Sequence, residues 1–119
     1  MTMNRESFKP YLVRDKVFLN ELYQSSSVPN SKRLLLFASD QKLDTLIKFL
    51  HFVANGEIKM KKEHFDVFSK SQVSLLKKKF EKKKLVQQFL KEERKVKITA
   101  LQKLAPILPQ LLYALFNET

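Results

Sequence analysis

Residues 39–56 read SDQKLDTLIKFLHFVANG, and the spacing of the apolar side chains in this stretch decides the fold class. Gln41, Asp44, Thr45, Lys48, His51 and Asn55 recur at intervals of three and four, which traces one stripe along an α-helix. Leu43, Leu46, Ile47, Phe49, Leu50, Phe52 and Val53 fill the remaining circumference. A helix apolar over most of its girth belongs at the centre of a bundle, with its polar stripe toward solvent. Ser39 is a good N-cap, and Asp40 complements the positive end of the helix dipole. Asn55-Gly56 ends the helix, glycine supplying the left-handed residue that follows the last turn. His51, on the polar stripe, reads as a solvated side chain.

Toward the N-terminus, a helix is expected from about Tyr11 to Gln24, with Pro10 in the favoured first turn. Leu12, Leu19, Leu22 and Tyr23 form its apolar stripe, widened by Val13, Val17 and Phe18. Residues 1–9 mix polar and charged side chains and read as flexible. Residues 25–30, SSSVPN, read as a linker. A brief helix around Leu34-Leu35-Leu36-Phe37 follows, with Ser31 as its cap.

Toward the C-terminus, Ile58 and Met60 alternate with charges, as in an extended link that pins its apolar side chains to the core. Helical spacing resumes at Phe65 and Phe68. Val73, Leu76 and Phe80 then share one face, while Leu85, Val86, Phe89 and Leu90 share another, displaced by roughly 130°. The slip falls on Glu81-Lys82-Lys83-Lys84. It places a joint near Lys82 between two helices; the alternative is one continuous helix packed on two partners. Pro106 and Pro109 divide the last apolar stretch, so one helix ends before Pro106 and another starts at Pro109. The expectation is an all-α single domain over residues 1–119: a small compact bundle of about five to six helices with a basic helical segment at 59–103.

Composition agrees with that class. The chain has 119 residues, 44% of them hydrophobic, including 10 Phe, enough for a modest core. One Gly and four Pro are too few for the turns of a sandwich or barrel. Cysteine is absent, which excludes disulfides and thiolate metal sites. Residues 1–10 carry no apolar signal-peptide core, and no run reaches the roughly 20 apolar residues of a membrane span. The expected setting is intracellular, in a nucleus or a virion.

Chemistry of the enzymatic kind finds little support. His64 lies beside Glu63 and Asp66, but neither histidine has ligand or triad spacing. A single Gly rules out a phosphate-cradling loop. A protein without catalytic residues, cofactor or metal is expected.

The charge is the functional signal. Net charge is +11, yet residues 1–58 hold 8 Lys/Arg against 6 Asp/Glu, whereas residues 59–103 hold 15 against 5. Lys77, Lys78, Lys79, Lys82, Lys83 and Lys84 put six ammonium groups within eight positions around Glu81. Lys61, Lys62, Lys91, Arg94, Lys95 and Lys97 extend the field. Like charges at helical spacing destabilise a helix, so an anionic partner is the natural reason to keep them. Phosphate backbones suit this role because each neutralised phosphate releases counterion. Lysine acts as a point charge, which points to sequence-tolerant backbone contact over base reading, with DNA as the expected nucleic acid. The competing reading is a plain solvated helix surface. Phe65, Phe68, Phe80 and Phe89 are interleaved, but their helical spacing marks them as core.

A different function attaches to the C-terminal face formed by Leu111, Leu112, Leu115 and Phe116. It could dock an acidic or capsid protein partner, or lie in a membrane interface as part of a membrane-active accessory protein.

The stretch from Lys32 to Phe116 also resembles a group of small basic proteins encoded in Maverick/Polinton-type elements and adintovirus-like genomes. The matching residues are Leu35-Leu36-Phe37-Ala38-Ser39, Val53-Ala54-Asn55-Gly56-Glu57-Ile58, Lys82-Lys83-Lys84-Leu85-Val86-Gln87-Gln88 and Leu108-Pro109-Gln110-Leu111-Leu112. Many members place Gly-Gly-Phe after the second lysine cluster, where this chain has Gln88-Phe89. The resemblance implies an accessory or virion-core protein of a double-stranded DNA element, without catalytic residues.

Overall fold

Ser39 caps the central helix as its sequence implies, its hydroxyl accepting the amide of Lys42 at 3.2 Å. The helix runs Asp40–Ala54 and closes on Gly56, whose φ of +85° is a conformation that favours glycine. The computed structural model describes residues 5–60, 66 and 68–116. Its helices are α1 (Arg5–Arg14), α2 (Lys16–Tyr23), α3 (Val28–Leu36), α4 (Asp40–Ala54), α5 (Lys70–Phe80), α6 (Lys83–Leu90), α7 (Arg94–Lys103) and α8 (Leu108–Phe116). A 3-10 turn, Ala105–Ile107, joins α7 to α8. No strand occurs among the described residues. The fold is all-helical, with more helices than the five or six expected.

One extra break lies at Asp15, where the backbone leaves the helical region (φ −113°, ψ 23°). Beyond it, Phe18, Leu19 and Leu22 of α2 turn inward, while Val13 of α1 and Val17 of α2 face solvent. Pro10 is inside α1 and not at a helix start. The segment before it is helical from Arg5, so a helix extends into the stretch 1–9 expected to be flexible. The reason is Phe8, which is wholly buried against the rings of Phe49 and Phe52. A single phenylalanine among charges has no periodicity to announce it. The third helix begins earlier than expected, because Ser27, not Ser31, is its cap, accepting from Asn30. Ser31 is buried and donates to the hydroxyl of Ser25.

α4 packs against α1, α5, α6 and α7, and α2 makes the most extensive pairing of the fold with α8. Ile58 is buried, as the alternating link requires. The radius of gyration, 13.0 Å, is near the roughly 13.5 Å typical of a compact domain of this length.

The polar stripe of α4 is only in part a solvent face. Thr45 is fully buried and His51 nearly so. Thr45 Oγ1 donates to Asp15 and accepts from Arg14 Nη2 (2.9 Å), while Gln41 Nε2 donates to Asp15 Oδ1 (3.1 Å). Burial pushes the Asp15 carboxyl up, but hydrogen bonds from Thr45, Gln41 and Arg14, with the Arg14 charge, hold it below its ordinary value. Lys48 lies over the Tyr11 ring, 4.2 Å from its centre. Thr45 and His51 thus face other elements of the fold, while Gln41 stays exposed and Asp44, Lys48 and Asn55 are half-buried.

Candidate nucleic-acid interface

Two short helices present the lysine cluster. α5 starts with a reciprocal capping box, Ser69 accepting the Gln72 amide and Gln72 Oε1 accepting the Ser69 amide. Leu76 and Phe80 anchor it in the core. Lys82 then adopts an extended conformation (φ −93°, ψ 129°), and α6 begins at Lys83. The joint near Lys82 is therefore real. Its corner is held by Phe80, packed edge-on to Phe89 at 5.7 Å, and by His51. The Nδ1–H of His51 donates to the Phe80 carbonyl (2.6 Å), satisfying one of the acceptors left over in the last turn of α5. The solvated histidine expected from sequence is thus a buried strut beneath the basic corner.

Lys77, Lys78, Lys79, Lys82, Lys83 and Lys84 are all exposed. Among the described residues the ion pairs are Arg14–Asp15, Arg94–Asp40 and Lys97–Asp44, so none of these six lysines is neutralised by one. Consecutive helical residues diverge by about 100°, so Lys77, Lys78 and Lys79 fan around the outer arc of α5 and do not share one face.

The two halves of the cluster differ electrostatically. Lys77, Lys78 and Lys79 sit in the last turn of α5, where the negative end of the helix dipole favours them. Lys82, Lys83 and Lys84 occupy the N-cap and first turn of α6, the positive end. That turn has no acidic residue and no side-chain cap. Three ammonium groups there oppose the dipole, a local cost that a bound anion would relieve.

Two of the expected binding cations are committed elsewhere. Lys97 is buried and its ammonium pairs with Asp44 at 2.9 Å, tying α7 to α4; its removal from the basic face is a correction. Arg94 remains partly exposed, donating to Asp40 Oδ1 and to the Leu36 carbonyl, each at 2.9 Å. Asp40 and Asp44 on α4 thus face Arg94 and Lys97 on α7 and join the two helices. Lys91 and Lys95 are exposed. Lys61 and Lys62 lie outside the described residues, as do Phe65 and His64. Lys103, not singled out from sequence, falls two turns beyond Lys95 on the same outer face of α7 and is exposed.

The C-terminal apolar face needs a larger correction. Leu111 and Leu112 have no exposed surface and Leu115 is buried. Phe116 stacks on Tyr23 of α2 at 5.2 Å. α2 supplies Phe18, Leu19 and Leu22 as the partner within the chain, so this face is core and unavailable for docking. Among the described residues, no group of three or more His, Asp or Glu side chains is placed to hold a metal ion, and no helix is long and apolar enough to cross a membrane.

No protein-family model matches the chain, no curated protein matches its sequence, and no solved structure matches its fold.

Proposed function

We propose that this protein is a non-enzymatic binder of nucleic acid that contacts the phosphate backbone without reading sequence. Lys77, Lys78, Lys79, Lys82, Lys83 and Lys84 carry the contacts, assisted by Lys91. The observation that supports this reading is the exposed, unneutralised lysine corner at the α5–α6 joint, three of whose members oppose their own helix dipole. The corner is built on a rigid base of Phe80, Phe89 and His51, so the charges are positioned and not trailing on a tail. Packaging or organising the DNA of a virus-like element is the process we assign to it, consistent with the sequence resemblance.

Titration of duplex DNA across salt concentrations tests the reading. With about five phosphates engaged, log affinity should fall with log salt at a slope near −4.5, roughly 500-fold between 50 and 200 mM. Duplexes of unrelated sequence should bind alike. Binding that is absent at low salt, or indifferent to salt, refutes the proposal.

A further inference from the structure

A second feature, on the flank of α5 that faces α7, shares Lys79 with the lysine corner but adds an apolar floor that the nucleic-acid reading does not use. Between α5 and α7 runs a groove of about 290 Å³ whose floor is Leu75, Val96 and Ala100 and whose rim is Lys79, Lys95 and Lys103. Leu75 and Ala100 are half-buried against the core, and Val96 is 44% exposed. None of the three lysines is in an ion pair among the described residues. A further hollow of about 460 Å³ lies along the other flank of α7, reaching Leu36, itself 50% exposed. The outer face of α7 is therefore a ridge of mixed basic and apolar character between two hollows.

We propose that the α5–α7 groove docks an acidic amphipathic helix from a partner protein. Charge complementarity selects the occupant. Lys95 and Lys103 are separated by eight residues, about 12 Å along the helix, and so bracket about two turns of a partner laid beside them. Aliphatic side chains at i, i+3/i+4 and i+7 of that partner would cover Leu75, Val96 and Ala100, while its flanking carboxylates meet the three ammonium groups. A second copy of this chain fits poorly, because it brings its own net +11 to a basic rim. A sugar–phosphate backbone satisfies the lysines but leaves the apolar floor without a complement. At about 290 Å³ the groove is at the small end of ligand pockets, suited to a row of side chains more than to a cofactor.

The test titrates the full chain with a fluorescein-labelled peptide repeating Leu-Glu-Glu-Leu-Leu-Glu-Glu, against a peptide of the same composition in scrambled order. The ordered peptide should bind at least about tenfold more tightly and shift the methyl resonances of Leu75, Val96 and Ala100. Val96→Glu, at an exposed position, should weaken it about tenfold while leaving duplex DNA affinity within about twofold. Lys103→Glu should act in the same direction if Val96→Glu disturbs the fold by circular dichroism. Lys83→Glu with Lys84→Glu should spare the peptide. Equal binding of both peptides would reduce the effect to bulk charge and overturn the proposal. So would unchanged binding in both groove variants. Shifts of the same methyls by duplex DNA, with displacement of the peptide, would assign the groove to the nucleic-acid footprint and overturn it too.

Discussion

Replacing Lys83 and Lys84 together by glutamate is expected to make the protein more stable and less able to bind DNA. Both residues stand in the first turn of α6, where no acidic side chain and no cap offsets the exposed amides. A charge in that position is worth about 0.3 kcal/mol at an exposed site, and reversing its sign doubles the change. Two sites then give about 1 kcal/mol after screening by salt. For a chain of 119 residues that corresponds to a rise of about 4 °C in Tm. The binding side moves oppositely. Losing two phosphate contacts should reduce the salt slope by about 2 and the affinity at 0.1 M salt by roughly 60-fold. Thermal denaturation followed by circular dichroism gives the first quantity, and fluorescence anisotropy with a labelled duplex gives the second. A lowered Tm would refute the dipole argument. An unchanged slope would remove these lysines from the interface, whatever the Tm.

Other perturbations test the packing. Asp15→Asn should cost about 1–2 kcal/mol at pH 7 in urea denaturation, since Arg14 and Thr45 lose a charged acceptor. Because the folded carboxyl is held below its ordinary value, the wild-type contribution is fully present above the ordinary aspartate range and is lost as pH falls through the folded value. The variant should therefore show a shallower acid limb. Asp44→Ala should cost about 2 kcal/mol by stranding the Lys97 ammonium, whereas Lys97→Met should stay within about 1 kcal/mol of wild type. Equal losses in the two would refute the stranded-charge argument. Leu111→Asp should destabilise by about 4 kcal/mol or more and abolish cooperative melting, since Leu111 has no exposed surface; a folded, soluble variant would return α8 to the surface.

Local signals carried through to the structure wherever a short-range interaction decides the geometry. Ser39, Gly56 and the break at Lys82 behave as written in the sequence, because caps, left-handed turns and a phase slip are fixed within a few residues. Readings that depended on what an element packs against fared less well. The apolar face of Leu111 and Leu112 looked unpartnered only because α2, its cover, is separated from it by most of the chain. His51 and Thr45 carry polar groups, and polarity alone does not distinguish water from a buried carbonyl or carboxylate as the partner. Asp15 is only a weak local signal for a break, as aspartate favours caps and turns; the Gln41 and Thr45 contacts that hold it are tertiary. For the candidate site, the exposure of the central lysines followed from their density, but the loss of Lys97 required knowing that Asp44 lies opposite.

The wrapping of α4 has a consequence for motion. α1, α5, α6 and α7 each cover part of its surface, and even Thr45 and His51 of its polar stripe are buried. Releasing any one neighbour exposes a strip of this helix, yet the others still shield its backbone. Amide hydrogens along Leu46–Val53 should therefore exchange with deuterium only when the whole domain opens, at a rate set by global stability. Those of α6, a helix of eight residues crowned by opposing charge, should exchange through local fraying. The surface that carries the lysines would then be among the most yielding parts of the molecule, mounted on its least yielding one.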